Sequence, residues 1–290
     1  MDRGTFIKSL GMFSLGMTGL NTLLKGFNGV PPTEFVQPVL FVGHGSPTNV
    51  LEENEFTLML SKLGTELEKP KAILVVSAHW LTRGTFVAAT PKPETIYDFG
   101  GFPQEMYAIN YECPGAPDFA KLTQEALNHT GARLNHDWGL DHGAWTILKH
   151  MYPKADIPVY ELSIDYRKPP QYHYELAGHL KELRKKGVLI IGSGNIVHNL
   201  GRIERTINAP VYDWAKEFDD RIRKNLAEHN HSEIINYEKW GHISKMAHPS
   251  NDHYLPLLYT LALQEKKEEV KFIYEGFQNG SISMRCIKIG

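Results

Sequence analysis

At 290 residues, 42% of them hydrophobic and 22% charged, the chain can hide roughly three-quarters of its unfolded surface, which excludes a disordered chain or a miniature disulfide scaffold. Its 31 lysines and arginines against 33 aspartates and glutamates leave a net charge of -2, so no basic field favours nucleic acid or an anionic membrane as partner. No apolar run reaches the roughly 18 residues of a spanning helix, and Cys113 and Cys286 belong to no CxxC spacing that would imply a disulfide framework or a thiolate metal site.

Residues 1–35 read as an amino-terminal extension. Its charged start, its apolar Gly-rich stretch and the closing Pro31-Pro32 pair have the order of an export signal. It faintly resembles a twin-arginine signal with one arginine missing, and no small-residue cleavage site follows. Cytoplasmic residence is therefore the expectation, with export to the periplasm as the alternative. Residues 36–290 show no internal repeat and no Gly/Ser linker and are expected to form one domain.

The run 39–42, apolar on both faces, is the first buried strand and stops at Gly43. Apolar spacing predicts a helix over 51–67, and a second strand over 72–76 ends at Ser77-Ala78-His79. The Pro- and Gly-rich stretch 91–117 is long for a connection and reads as a binding loop or lid. Helices follow at 117–129 and 144–151, a strand at 159–164, a helix at 172–184 and a strand at 188–191. Helices at 213–229 and 254–264 and strands at 270–274 and 281–289 complete the chain. This alternation predicts an α/β domain with a mainly parallel central sheet flanked by helices. In such sheets ligands bind beyond the carboxyl ends of the strands.

Three strands deliver a histidine to that edge: His44 in Gly43-His44-Gly45, His79 after the second strand, and His198 in the loop after the strand 188–191. His142 opens the helix 144–151. A single histidine after a strand is ordinarily a hydrogen-bonded loop or core residue, but three at corresponding strand ends are economically explained by a metal site. Imidazoles without thiolate suit zinc, iron or copper, and a catalytic centre takes three protein ligands and keeps positions for water or substrate. His44 and His79 supply two. His253 is the candidate third, against the plainer reading of a helix start capped by Asn251 or Asp252, with His242 and His248 as competitors. Glu52 and Glu53 read as a solvated charge pair in a helical first turn. Ser46 and Ser193 lie outside any GxSxG, and Gly192-Ser193-Gly194 lacks the further glycine or lysine of a nucleotide loop. The cluster Tyr97 to Pro103 reads either as an aromatic mini-core or as a wall for a flat aromatic substrate.

Six segments in order, GHGSP (from Gly43), SAHW (from Ser77), YDFGGFP (from Tyr97), WGLDHG (from Trp138), GSGNIVHN (from Gly192) and DHYLPLLY (from Asp252), resemble the 4,5-DOPA extradiol dioxygenases of the class III ring-cleaving family. The resemblance covers the chain from about residue 38 onward. It implies one divalent metal at the strand ends, a small catechol substrate such as L-DOPA, and cleavage of its ring with incorporation of both atoms of O2. His44, His79 and His253 take the places of metal ligands. His198 takes a place described both as a further ligand and as an acid/base, and His142 that of an acid/base. Relatives with a glutamate at the place of His253 bind Fe(II); the all-histidine set here suits zinc as well as iron. Two readings stand beside the dioxygenase: a zinc-dependent hydrolase, and an inactive metal-binding homologue. A monomer or small homo-oligomer is expected.

Overall fold

The computed structural model describes residues 30–290, and the charged start and the apolar stretch of the export-signal expectation lie outside these. No helix among the described residues is long and apolar enough to cross a membrane. The residues 34–290 build one α/β unit around a six-stranded sheet. Its strands are β1 (Val39–Gly43), β2 (Ala72–Ser77), β3 (Val159–Glu161), β4 (Val188–Gly194), β5 (Val270–Tyr274) and β6 (Cys286–Ile289), in the spatial order β3-β2-β4-β1-β6-β5. The first four in that order run parallel, and β6 and β5 add an antiparallel edge. The expected fold class is what the chain adopts.

Successive side chains of a strand face opposite ways, and here both faces are apolar because both are covered. Leu40 and Val42 of β1, Ile73 and Val75 of β2 and Leu189 and Ile191 of β4 share one core. Phe56, Leu60 and Leu63 of α1 (Glu55–Glu66) close it, together with Trp145 and Leu148 of α3 (His142–Met151). Val39, Phe41, Leu74, Val76 and Ile190 face the other way. They pack with Leu176 of α4 (Pro170–Gly178), Phe218 of α5 (Asp213–Ala227) and Leu257 and Leu258 of α6 (Leu255–Ala262). Helix α2 (Pro117–Ala126) lies between α1 and α3 in the chain.

Several expected boundaries are corrected. The helix expected from residue 51 starts at Glu55, because Asn54 and Thr57 form a reciprocal capping box and residues Pro47–Leu51 make a separate 3-10 turn. Glu52 and Glu53 thus precede the helix instead of filling its first turn. The run 159–164 splits after Glu161, and Ile164–Asp165 pairs with Leu81–Thr82 in a small sheet of its own. The helix expected at 172–184 becomes α4 and a short helix Lys181–Lys185. The last strand also divides: Ile282–Ser283 pairs with Phe277–Gln278, and Arg285 turns into a buried ion pair with Asp219 just before β6 begins.

Candidate metal centre and active site

The crossover from β1 to β2 skips one strand position, which β4 fills. In register, Ser193 of β4 lies beside Val42 of β1 on one side and Ser77 of β2 on the other. His44, which follows β1, and His79, two residues beyond β2, therefore flank the end of β4. Ser193 Oγ donates to the carbonyl of Gly143 at 2.6 Å and lies 2.9 Å from His44 Nδ1. With its own proton committed, the hydroxyl accepts from His44, so Nδ1 carries the hydrogen and Nε2 presents a lone pair.

His253 arrives from the turn before α6. Gly194 makes room for it: a Cβ there would stand 2.2 Å from the His253 carbonyl oxygen, which accepts from Asn195 N–H at 2.9 Å. His253 Nδ1 lies 2.5 Å from an Asp252 carboxylate oxygen, again turning the lone pair to Nε2. The sequence reading of Asn251 or Asp252 as a helix cap is corrected, since α6 has no side-chain cap. His79 Nδ1 faces Asp98 Oδ2 at 3.3 Å.

The three rings converge. Their centroids are 5.1 Å (His44 to His79), 5.2 Å (His44 to His253) and 4.9 Å (His79 to His253) apart. His44 Nε2 and His79 Nε2 are separated by 3.2 Å. Nitrogens about 2.0–2.1 Å from a shared tetrahedral ion stand about 3.3 Å apart, so the spacing of this pair fits a shared metal. Burial, and then the neighbouring imidazoles, push His44 and His253 well below the usual histidine range. Burial likewise takes His79 to about 3. The rings stay neutral near pH 7, the form that can donate to a metal.

His142 and His198 complete the cluster. Ligand atoms of His44, His79 and His142 lie within 4.8 Å of one another, and so do those of His198, Asp252 and His253. His142 stands 3.8 Å from the His79 ring, with Nδ1 3.0 Å from Asp98 Oδ2. His198 stacks face to face on His253, centroids 3.5 Å apart and planes 4° from parallel. Burial lowers its pKa to about 4. The competitors lie elsewhere: His242 is exposed at the start of a short helix, and buried His248 bonds through Nε2 to the Ile196 carbonyl at 2.6 Å.

All five site histidines line a cavity of about 340 Å³ whose walls include Phe99, Phe102, Leu200, Ile203 and Ile282. Apolar walls around one convergent polar end suit a flat aromatic ring presenting oxygens to the histidines. The segment Tyr97 to Pro103 divides: Phe99 and Phe102 line the cavity, while Tyr97 packs against Trp145.

Residues 37–284 match the family described as the catalytic LigB subunit of aromatic ring-opening dioxygenase. The chain belongs to the LigB family. Among its relatives are the 4,5-DOPA dioxygenase extradiol of Escherichia coli K12, 44% identical over 87% of this chain and 94% of that protein, and that of Beta vulgaris, 35% identical over 87% and 96%. The crystal structure of an uncharacterized Escherichia coli K12 protein superposes with a TM-score of 0.77 at 40% identity, covering 88% of this chain and all of that one. This LigB protein is accordingly an extradiol dioxygenase, a metal-dependent oxidoreductase, and the hydrolase alternative finds no support among these relatives.

Three functional partners escape the sequence reading. Ser193 looks like a turn residue, and Asp252 like a cap although the adjacent Asp-His pair was a signal. Asp98 reaches His142 from 44 positions earlier in the chain, a distance no local pattern bridges.

Proposed function

We propose that this LigB protein opens the ring of a catechol with O2 at a single divalent ion held by His44, His79 and His253, with L-DOPA or a close analogue as substrate. The observation that carries the reading is the convergence of three neutral imidazoles whose Nδ1 atoms are each engaged from outside, by Ser193, Asp98 and Asp252. Such partners fix ring orientation and raise donor strength. The substrate class follows from the names of the relatives and is supported by the apolar side chains that line the cavity beside the histidines. Bound there, the ion supplies Lewis acidity that favours the ionised catechol and, as Fe(II), the electron that activates O2. Zinc, which has no redox chemistry, permits binding without cleavage.

The chain's own groups then handle protons and orientation. Phe99 and Phe102 would border the ring, and Leu200 and Ile203 add apolar wall to the cavity. His198 and His142 are assigned to proton transfer, taking a phenolic proton and returning one as the ring opens. The stack supports this role for His198. Its ring lies parallel to that of His253, centroids 3.5 Å apart, and lines the cavity that the catechol would enter.

The test is anaerobic loading with Fe(II), then L-DOPA and air. O2 uptake with a yellow ring-cleavage product is expected from the iron form and neither from the zinc form. No uptake with iron demonstrably bound overturns the reading.

A further inference from the structure

The loop 91–117 contributes more than a wall. Asp98 places Oδ2 3.3 Å from His79 Nδ1 and 3.0 Å from His142 Nδ1, while Oδ1 accepts the backbone N–H of His142 at 2.9 Å. One carboxylate thus joins three segments: the end of β2, the first turn of α3 and the loop itself. Just before Asp98 the loop is held by Trp145 Nε1 donating to the Ile96 carbonyl at 2.9 Å and by Tyr97 OH donating to the Ile109 carbonyl at 2.7 Å. Phe99, next in the chain, sets its ring edge to face against His142, centroids 5.6 Å apart.

We propose that Asp98 is a positioning residue that makes metal retention, the orientation of His142 and the seating of the 91–117 loop a single coupled event. This rests on the reading of His79 as a metal ligand. The negative charge of a carboxylate 3.0–3.3 Å from both Nδ1 atoms favours a proton on each, which leaves the lone pairs on Nε2, and its second oxygen accepts the backbone N–H at the start of α3. An amide of the same shape cannot do both. In Asp98→Asn, an amide with its oxygen toward the rings would point its NH2 at the His142 backbone N–H; turned over, it would point its NH2 at two ring donors. Because coupling is reciprocal, an ion that the seated loop helps to hold must in turn hold the loop.

Chelator competition with zinc alone, without catechol, tests the first arm. Asp98→Asn is expected to weaken zinc affinity about 10- to 100-fold, the usual cost of losing such a partner. Hydrogen exchange tests the second. Zinc is expected to slow exchange at residues 97–102 in wild type and to do so far less in Asp98→Asn. Unchanged zinc affinity in a folded Asp98→Asn overturns the proposal. So does wild-type loop exchange indifferent to zinc, a result that needs no variant to fold. Neither arm uses ring opening, so an iron form that fails to consume O2 while both arms behave as expected refutes the substrate reading alone.

Discussion

At the scale of single residues, the site is a set of imidazoles, three of which face a polar partner at Nδ1. His44 leans on Ser193, His253 on Asp252 and His79 on Asp98, so each inward nitrogen is free to donate. His198 differs in stacking flat on His253, and it is a ring assigned above to proton transfer. His198→Ala is therefore expected to retain metal while kcat for catechol cleavage falls about 10²- to 10⁴-fold, the range for a lost acid/base group. Metal analysis beside steady-state O2 uptake checks this, and a variant stripped of metal would make His198 a ligand. The histidines themselves were legible because glycines and strand ends announce them. Their partners were not, since Ser193 and Asp98 are ordinary residues until the fold sets them beside a ring.

At the scale of elements, the parallel order β2-β4-β1 does the assembling. Strand β4 sits between the strands that carry His44 and His79, and its last residue lets the His253 turn approach within a distance only glycine permits. Gly194→Ala is expected to push the turn and His253 outward, lowering zinc affinity by at least about 10-fold in a protein whose circular dichroism is still that of wild type. Wild-type affinity would show that the contact has slack. The buried strands could be read from their apolar runs, as both faces are covered. Two failures share one cause: the strands expected at 159–164 and 281–289 break where Glu161 and Arg285 turn into buried polar contacts, with Trp138 and with Asp219. Period-2 patterning does not register such long-range partners.

At the scale of the molecule, burial of histidine ties stability to pH even away from the metal centre. Burial holds His173, bonded to the Tyr259 hydroxyl, and His248 at about 4. The unfolded chain takes up these protons near pH 6.5 and the folded chain only near 4, so stability declines as pH falls through that window, by about 3 kcal/mol for each group. The urea midpoint of the metal-free protein is expected to drop between pH 7 and about pH 4.5, and less steeply in His248→Gln. A flat profile would mean that these rings are solvated in the folded state. The proposed centre brings three distant rings to one ion, and the most direct measurement of that is metal bound per chain after anaerobic loading and desalting. Wild type should carry one ion, while His44→Ala, His79→Ala and His253→Ala should each carry almost none. Full occupancy in any of those three folded variants would contradict the site.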